Sequence, residues 1–185
     1  MPDPVGTHAD GEAPLRLRRS GLVAGLAFLL LVTSLLLPWW VVSNSVGGST
    51  TPLATVSLFG DPQGIVHAWA RWVTLGLILV CTAWLFVRVA SKAWQHEPAV
   101  WHRDLGACAS LGVAALASAM LWPAPIDQVQ LPFWGGRSLL LDHGTGEQLT
   151  LLANPGLGWF AALAAVATLG LAWSFALAPR QTSSP

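Results

Sequence analysis

The sequence predicts an all-α membrane protein: a four-transmembrane-helix bundle with a small extracellular β cap built from loops 1 and 3. Three observations predict it. Four apolar stretches, about 21–37, 66–87, 105–122 and 158–177, carry almost no charge, and each approaches the ~20 residues a helix needs to cross a hydrocarbon core. Hydrophobic residues make up 54% of the chain and charged residues 10%, against roughly 25% charged in soluble domains, so there are too few charges to cover a soluble surface. The basic residues are also one-sided. With four crossings Arg16, Arg18, Arg19, Arg88, Lys92, Arg103 and Arg180 share one side, while Arg71 and Arg137 lie toward the other with Asp61, Asp127, Asp142 and Glu147. The positive-inside rule then puts both termini in the cytoplasm of a multi-pass cell-membrane protein.

The elements follow in order. Residues 1–15 mix Pro, Gly, Asp, Thr and His without an apolar period and are expected to be disordered. The membrane domain is expected over 16–179, with helices at about 18–37, 62–92, 98–122 and 155–178, and 180–185 as a cytoplasmic tail. The first helix follows three arginines like a signal peptide, but Pro38-Trp39-Trp40 replaces a small-residue cleavage pattern, so it reads as an uncleaved anchor. Pro38 and Pro123 stop the first and third helices. Asp61-Pro62, Glu97-Pro98 and Asn154-Pro155 each put a capping residue before a proline at the first helical position. The outer loop 38–61 reads as strand-turn-strand: Trp40-Val41-Val42, then Gly47-Gly48-Ser49, then the alternating 54–59. The outer loop 123–154 reads as a hairpin around Gly144-Thr145-Gly146. A sheet shared by both loops would satisfy their backbone groups.

This layout resembles the claudin-type tetraspan architecture, on Trp39-Trp40 just after the first helix and Leu58-Phe59-Gly60 at the end of a β-rich first loop. The resemblance implies four crossings, both termini inside and an extracellular sheet. The paired loop cysteines of claudins are missing here, so no barrier or channel role comes with it.

Several patterns bear on function. Zero net charge gives no footprint for nucleic acid. Cys81 and Cys108 fall inside expected helices and read as small apolar packing residues. Eleven tryptophans with no tyrosine read first as an aromatic belt at the membrane interfaces, with Trp39, Trp40, Trp69, Trp72, Trp122, Trp134 and Trp159 on the outer side. The sharper reading is a cluster holding a lipid, quinone or pigment. Helix centres hold no ionisable residue, which argues against a proton pump or secondary transporter. Arg71 reads as an interfacial arginine, snorkelling or paired, or as an anion-binding residue. Asp61, His67, Asp142 and His143 outside, and His96, Glu97 and His102 inside, lack metal-ligand spacing, and no metal or other cofactor is called for.

Small residues mark candidate packing faces: Gly21-x-x-x-Gly25 on the first helix, and Gly106, Ser110, Ala114 and Ser118 at spacing four on the third. The sequence therefore points to a structural or accessory subunit, without catalysis, that binds lipid or another membrane protein or forms a homo-oligomer. The outer surface is the expected binding face, through Trp39, Trp40, Arg71, Trp134 and Arg137. A redox or enzyme accessory with a hydrophobic cofactor in an outer Trp-rich pocket is the second reading, and a small transporter the third.

Overall fold

The computed structural model describes residues 9–46, 49–60, 68–122, 137–142 and 148–177. Their elements are α1 (Ala9–Leu36), β1 (Trp40–Val46), β2 (Ser49–Val56), α2 (Ala68–Ala90), α3 (Ala93–His96), α4 (Pro98–Ala119), β3 (Arg137–Asp142), β4 (Gln148–Pro155) and α5 (Leu157–Ala176). Among the described residues three helices are long and apolar enough to cross a membrane: α1 over Pro14–Leu36, α2 and α5, with mean hydropathies of 1.9, 2.1 and 1.7. This composition fits a multi-pass membrane protein. α4 has 22 residues, about 33 Å at 1.5 Å per residue, but carries His102, Arg103 and Asp104 near its start.

The helices lie side by side with alternating direction. On α2 and α4, Thr74 meets Ser118 and Arg88 meets Asp104, so residues equidistant from His96 face each other. On α1 and α5, Ser20 meets Ala172 near one end and Leu37 meets Gly158 at the other. On α4 and α5, Gly106 lies by Trp173 and Gly112 by Val166. α4 thus lies alongside its neighbours. Small buried residues such as Ala24, Ala27, Ala115, Ala162, Ala165 and Ala172 line the contacts, which lets backbones approach closely without a hydrophobic drive between helices.

The strands form one antiparallel sheet in the order β2-β1-β4-β3 at one end of the bundle. β1 pairs with β4 from Trp40↔Pro155 to Ser45↔Thr150, so both loops contribute to a single sheet. The β1–β2 register shifts between Val42 and Ser43, where Pro52 opposes Ser43. A proline without an N–H is tolerated there because β2 is an edge strand. The sheet is tied to the helices by backbone bonds from Trp39 N to Val56 O (2.9 Å), Gly156 N to Trp39 O (2.7 Å) and Gly158 N to Pro38 O (2.8 Å). Glycine is required at this neck. A Cβ on Gly156 would overlap the Pro38 carbonyl oxygen, and one on Gly158 would lie 2.6 Å from the Leu37 carbonyl oxygen.

Several boundaries differ from the sequence reading. α1 begins at Ala9, with Pro14 inside it. Ala, Leu and Arg are strong helix formers, and each residue added to an existing helix gains a bond without a new nucleus. Asn154 and Pro155 end β4 rather than capping α5, because pairing with β1 continues to Pro155; the residue before α5 is Gly156. Arg88 and Arg103 lie within α2 and α4, as the expected ranges imply, but α2 ends at Ala90 rather than 92. The connection between them turns through Lys92 at φ 51°, and α4 begins at Pro98 as expected. Glu97 makes no side-chain cap; its carboxylate serves Arg88 instead. Asp61, Pro62, the glycine turns at 47–48 and 144–146, Pro123 and the tail 180–185 lie outside the described residues.

Candidate functional site

Two polar clusters are buried between the helices, one near each end. At the sheet end Trp122 Nε1 donates to Thr74 Oγ1 (2.8 Å). The Thr74 hydroxyl lies 2.9 Å from the Ala70 carbonyl and 3.0 Å from Ser118 Oγ. Trp39 stacks on Trp122 with ring centroids 5.6 Å apart and donates from Nε1 to Ser34 O (2.8 Å). Both rings are fully buried. Two large indoles fill the space between helix ends and have their N–H groups satisfied, as buried tryptophans usually do.

At the opposite end Trp101 Nε1 donates to Ser20 Oγ (2.9 Å), and Ser20 donates to Ala172 O (2.8 Å), which ties α1, α4 and α5 together. Trp94 lies over Gly21, where a Cβ would come 2.6 Å from its ring. Next to this knot is an ion-paired trio. Arg88 Nε lies 2.6 Å from Asp104 Oδ2, and Arg88 Nη2 donates to Glu97 Oε2 at 3.1 Å. The Asp104 side chain is 7% exposed, Arg88 18% and Glu97 55%. A carboxylate withdrawn this far from water persists only when paired. Sequence reasoning missed this pair by counting Arg88 as a topology signal and leaving Asp104 aside. The signal was their equal distance from the hairpin centre. Midway along the hairpin, Cys81 Sγ lies 3.5 Å from the Cys108 carbonyl oxygen, and both thiols are buried and free.

The sequence-derived site residues divide. Trp39 and Trp40 are buried at the base of the sheet, where they seat it on the helices. Arg71 is half-buried, with its guanidinium 5.3 Å from the Trp72 ring centroid. Trp134 and the side chain of Arg137 lie outside the described residues. Asp61, His67 and His143 do too. Gly21 makes its close contact with Trp94, whereas nothing lies within 4 Å of a Cβ built on Gly25.

The four small residues on α4 part company. Ser118 turns inward to Thr74, Ser110 and Ala114 are exposed, and Gly106 is half-buried beside Trp173. The reason is helical geometry: spacing four advances about 40° per step at 3.6 residues per turn, so four members sweep about 120°. Gly106 and Ser110 instead line a lateral groove of about 470 Å³ with Ala109, Val113 and Trp173. The wall is mostly apolar. At its end nearest the hairpin, the His102 ring lies tilted against that of Trp173, ring centroids 5.4 Å apart. His102 Nε2 is shielded from solvent and has no hydrogen-bond partner among the described residues. A lateral groove walled by small residues and an indole can receive a hydrocarbon chain or the ridge of another helix. The chain matches no protein-family model, no curated protein and no solved structure.

Proposed function

We propose that this chain is a non-catalytic, four-crossing accessory or scaffold protein of the cell membrane. Both termini and the α2–α4 hairpin face the cytoplasm, and the sheet faces outward, as in the claudin-type layout. The fourth crossing is supported by α4 running antiparallel alongside α2 and α5. Its low hydropathy has a local cause, since Asp104 is held by Arg88 and Arg103 is exposed one turn from the inner end.

The observation that carries the functional reading is the α4–α5 groove. The buried hydroxyl groups and indoles described above are largely occupied in joining helices, while the face bearing Gly106, Ser110 and Val113 remains unfilled. In a bilayer that face meets membrane components laterally, and its small residues permit close approach. The protein therefore binds another membrane component through this surface. Purification in mild detergent with mass spectrometry of bound proteins and lipids tests this. Loss of a bound component on replacing Ser110 by Phe supports the reading. Full retention of every bound component in that variant overturns it.

A further inference from the structure

We infer that the α4–α5 groove holds one acyl chain of an anionic phospholipid from the inner leaflet, with its phosphate at His102 and Arg103. This rests on the lateral-surface reading and orientation proposed above, and it commits the occupant. The groove itself selects only for hydrocarbon, since Gly106, Ala109, Val113 and the Trp173 ring dominate its wall. Selection for a headgroup has to come from its inner end.

There the helix repeat puts Arg103 three residues before Gly106 and His102 four before it, on the same face as the groove. Arg103 is exposed. His102 is half-buried and rests on the groove's own indole. The charge around this end is complementary to an anion. Arg103 is exposed there, whereas Asp104 and Glu97 are both held by Arg88. A basic residue at the cytoplasmic mouth of a groove between helices suits an acidic lipid headgroup.

A second transmembrane helix in the same groove would need no cation at its end. Native mass spectrometry distinguishes these occupants, with phosphatidylglycerol or phosphatidylcholine added to the delipidated full-length protein. The wild type is expected to retain phosphatidylglycerol in preference. Arg103→Ala should lower that retention about fivefold, the usual effect of one basic residue near an anionic surface. His102→Gln should lower it further, Ser110→Phe should reduce retention of both lipids, and Lys92→Ala should change neither. Tryptophan fluorescence melting of each variant establishes that it is folded, and Arg103→Ala alters only an exposed side chain. Equal retention of the two lipids by the wild type overturns the inference, as does a phosphatidylglycerol preference that survives Arg103→Ala. A Ser110→Cys cross-link between two copies in the bilayer also overturns it and gives the groove to self-association. In that case the lateral-surface reading stands while the lipid assignment falls.

Discussion

Replacing Arg88 by Met should be among the most damaging single changes in the bundle, and replacing Asp104 with it should undo the damage. Asp104 is 7% exposed and faces Arg88 at 2.6 Å. Removing the cation strands a buried carboxylate, which costs about 3–5 kcal/mol. The reverse change is milder. In Asp104→Asn the guanidinium, 18% exposed, keeps Glu97 at 3.1 Å, so about 1–2 kcal/mol is lost, close to one charge-assisted hydrogen bond. The double variant Arg88→Met/Asp104→Leu carries no buried charge. It should lie within about 1 kcal/mol of the wild type or above it, since apolar replacement of a buried pair is often neutral or stabilising. Glu97→Gln should cost under about 0.5 kcal/mol, because that carboxylate is 55% exposed. Unfolding in mild detergent, followed by tryptophan fluorescence, reads all four. If Arg88→Met and Asp104→Asn lose equal stability, or if the double variant is worse than Arg88→Met alone, the pair does not carry the burial asymmetry argued here.

Other changes test separate parts of the fold. Gly158→Ala puts a methyl 2.6 Å from the Leu37 carbonyl oxygen, and backbone on both sides cannot yield, so thermal unfolding should show a loss of about 1–3 kcal/mol. Trp122→Phe keeps the stack on Trp39 but removes the donor to Thr74; a loss of about 0.5–1.5 kcal/mol is expected, and none would mean that the bond contributes nothing. Ala114→Leu should leave the melting temperature nearly unchanged, within about 0.5 kcal/mol, because Ala114 is exposed. A large destabilisation there, measured in the isolated chain, would show that the α4 face is internal after all.

Much of the architecture is written in hydropathy and punctuation. Pro38 ends α1, Pro98 opens α4, and the run at 40–42 becomes the start of β1, whereas of the run at 54–59 only 54–56 lies in β2, since Ser57 N donates to Gly60 O in a turn. The pairing of the two loops into one sheet follows from the need of each to satisfy its backbone groups. What one-dimensional pattern does not reveal is azimuth and register. Spacing four looked like a stripe on α4, yet its rotation carries Ser118 into the core and leaves Ala114 outside. Asn154-Pro155 carries a helix-start signal, but tertiary pairing with β1 overrides it, as context routinely overrides local propensity. Trp39 looked like an interfacial residue and is instead a buried plug, because a tryptophan three positions past a helix end can fold back over it. Arg88 and Asp104 were readable only after the hairpin was folded about His96 and its two arms laid together.

In the proposed topology α4 crosses the membrane with the other three helices, so that both termini share the cytoplasm and the sheet faces outward. Cysteine accessibility in intact cells tests it most directly, in a background with Cys81 and Cys108 replaced by Ala. Thr55, exposed on β2, Ser91 in the hairpin and Ser184 near the C-terminus are each replaced by Cys in turn. An impermeant maleimide is expected to label the cysteine at 55 from outside and to reach those at 91 and 184 only after permeabilisation. Labelling at 184 from outside in intact cells would contradict it.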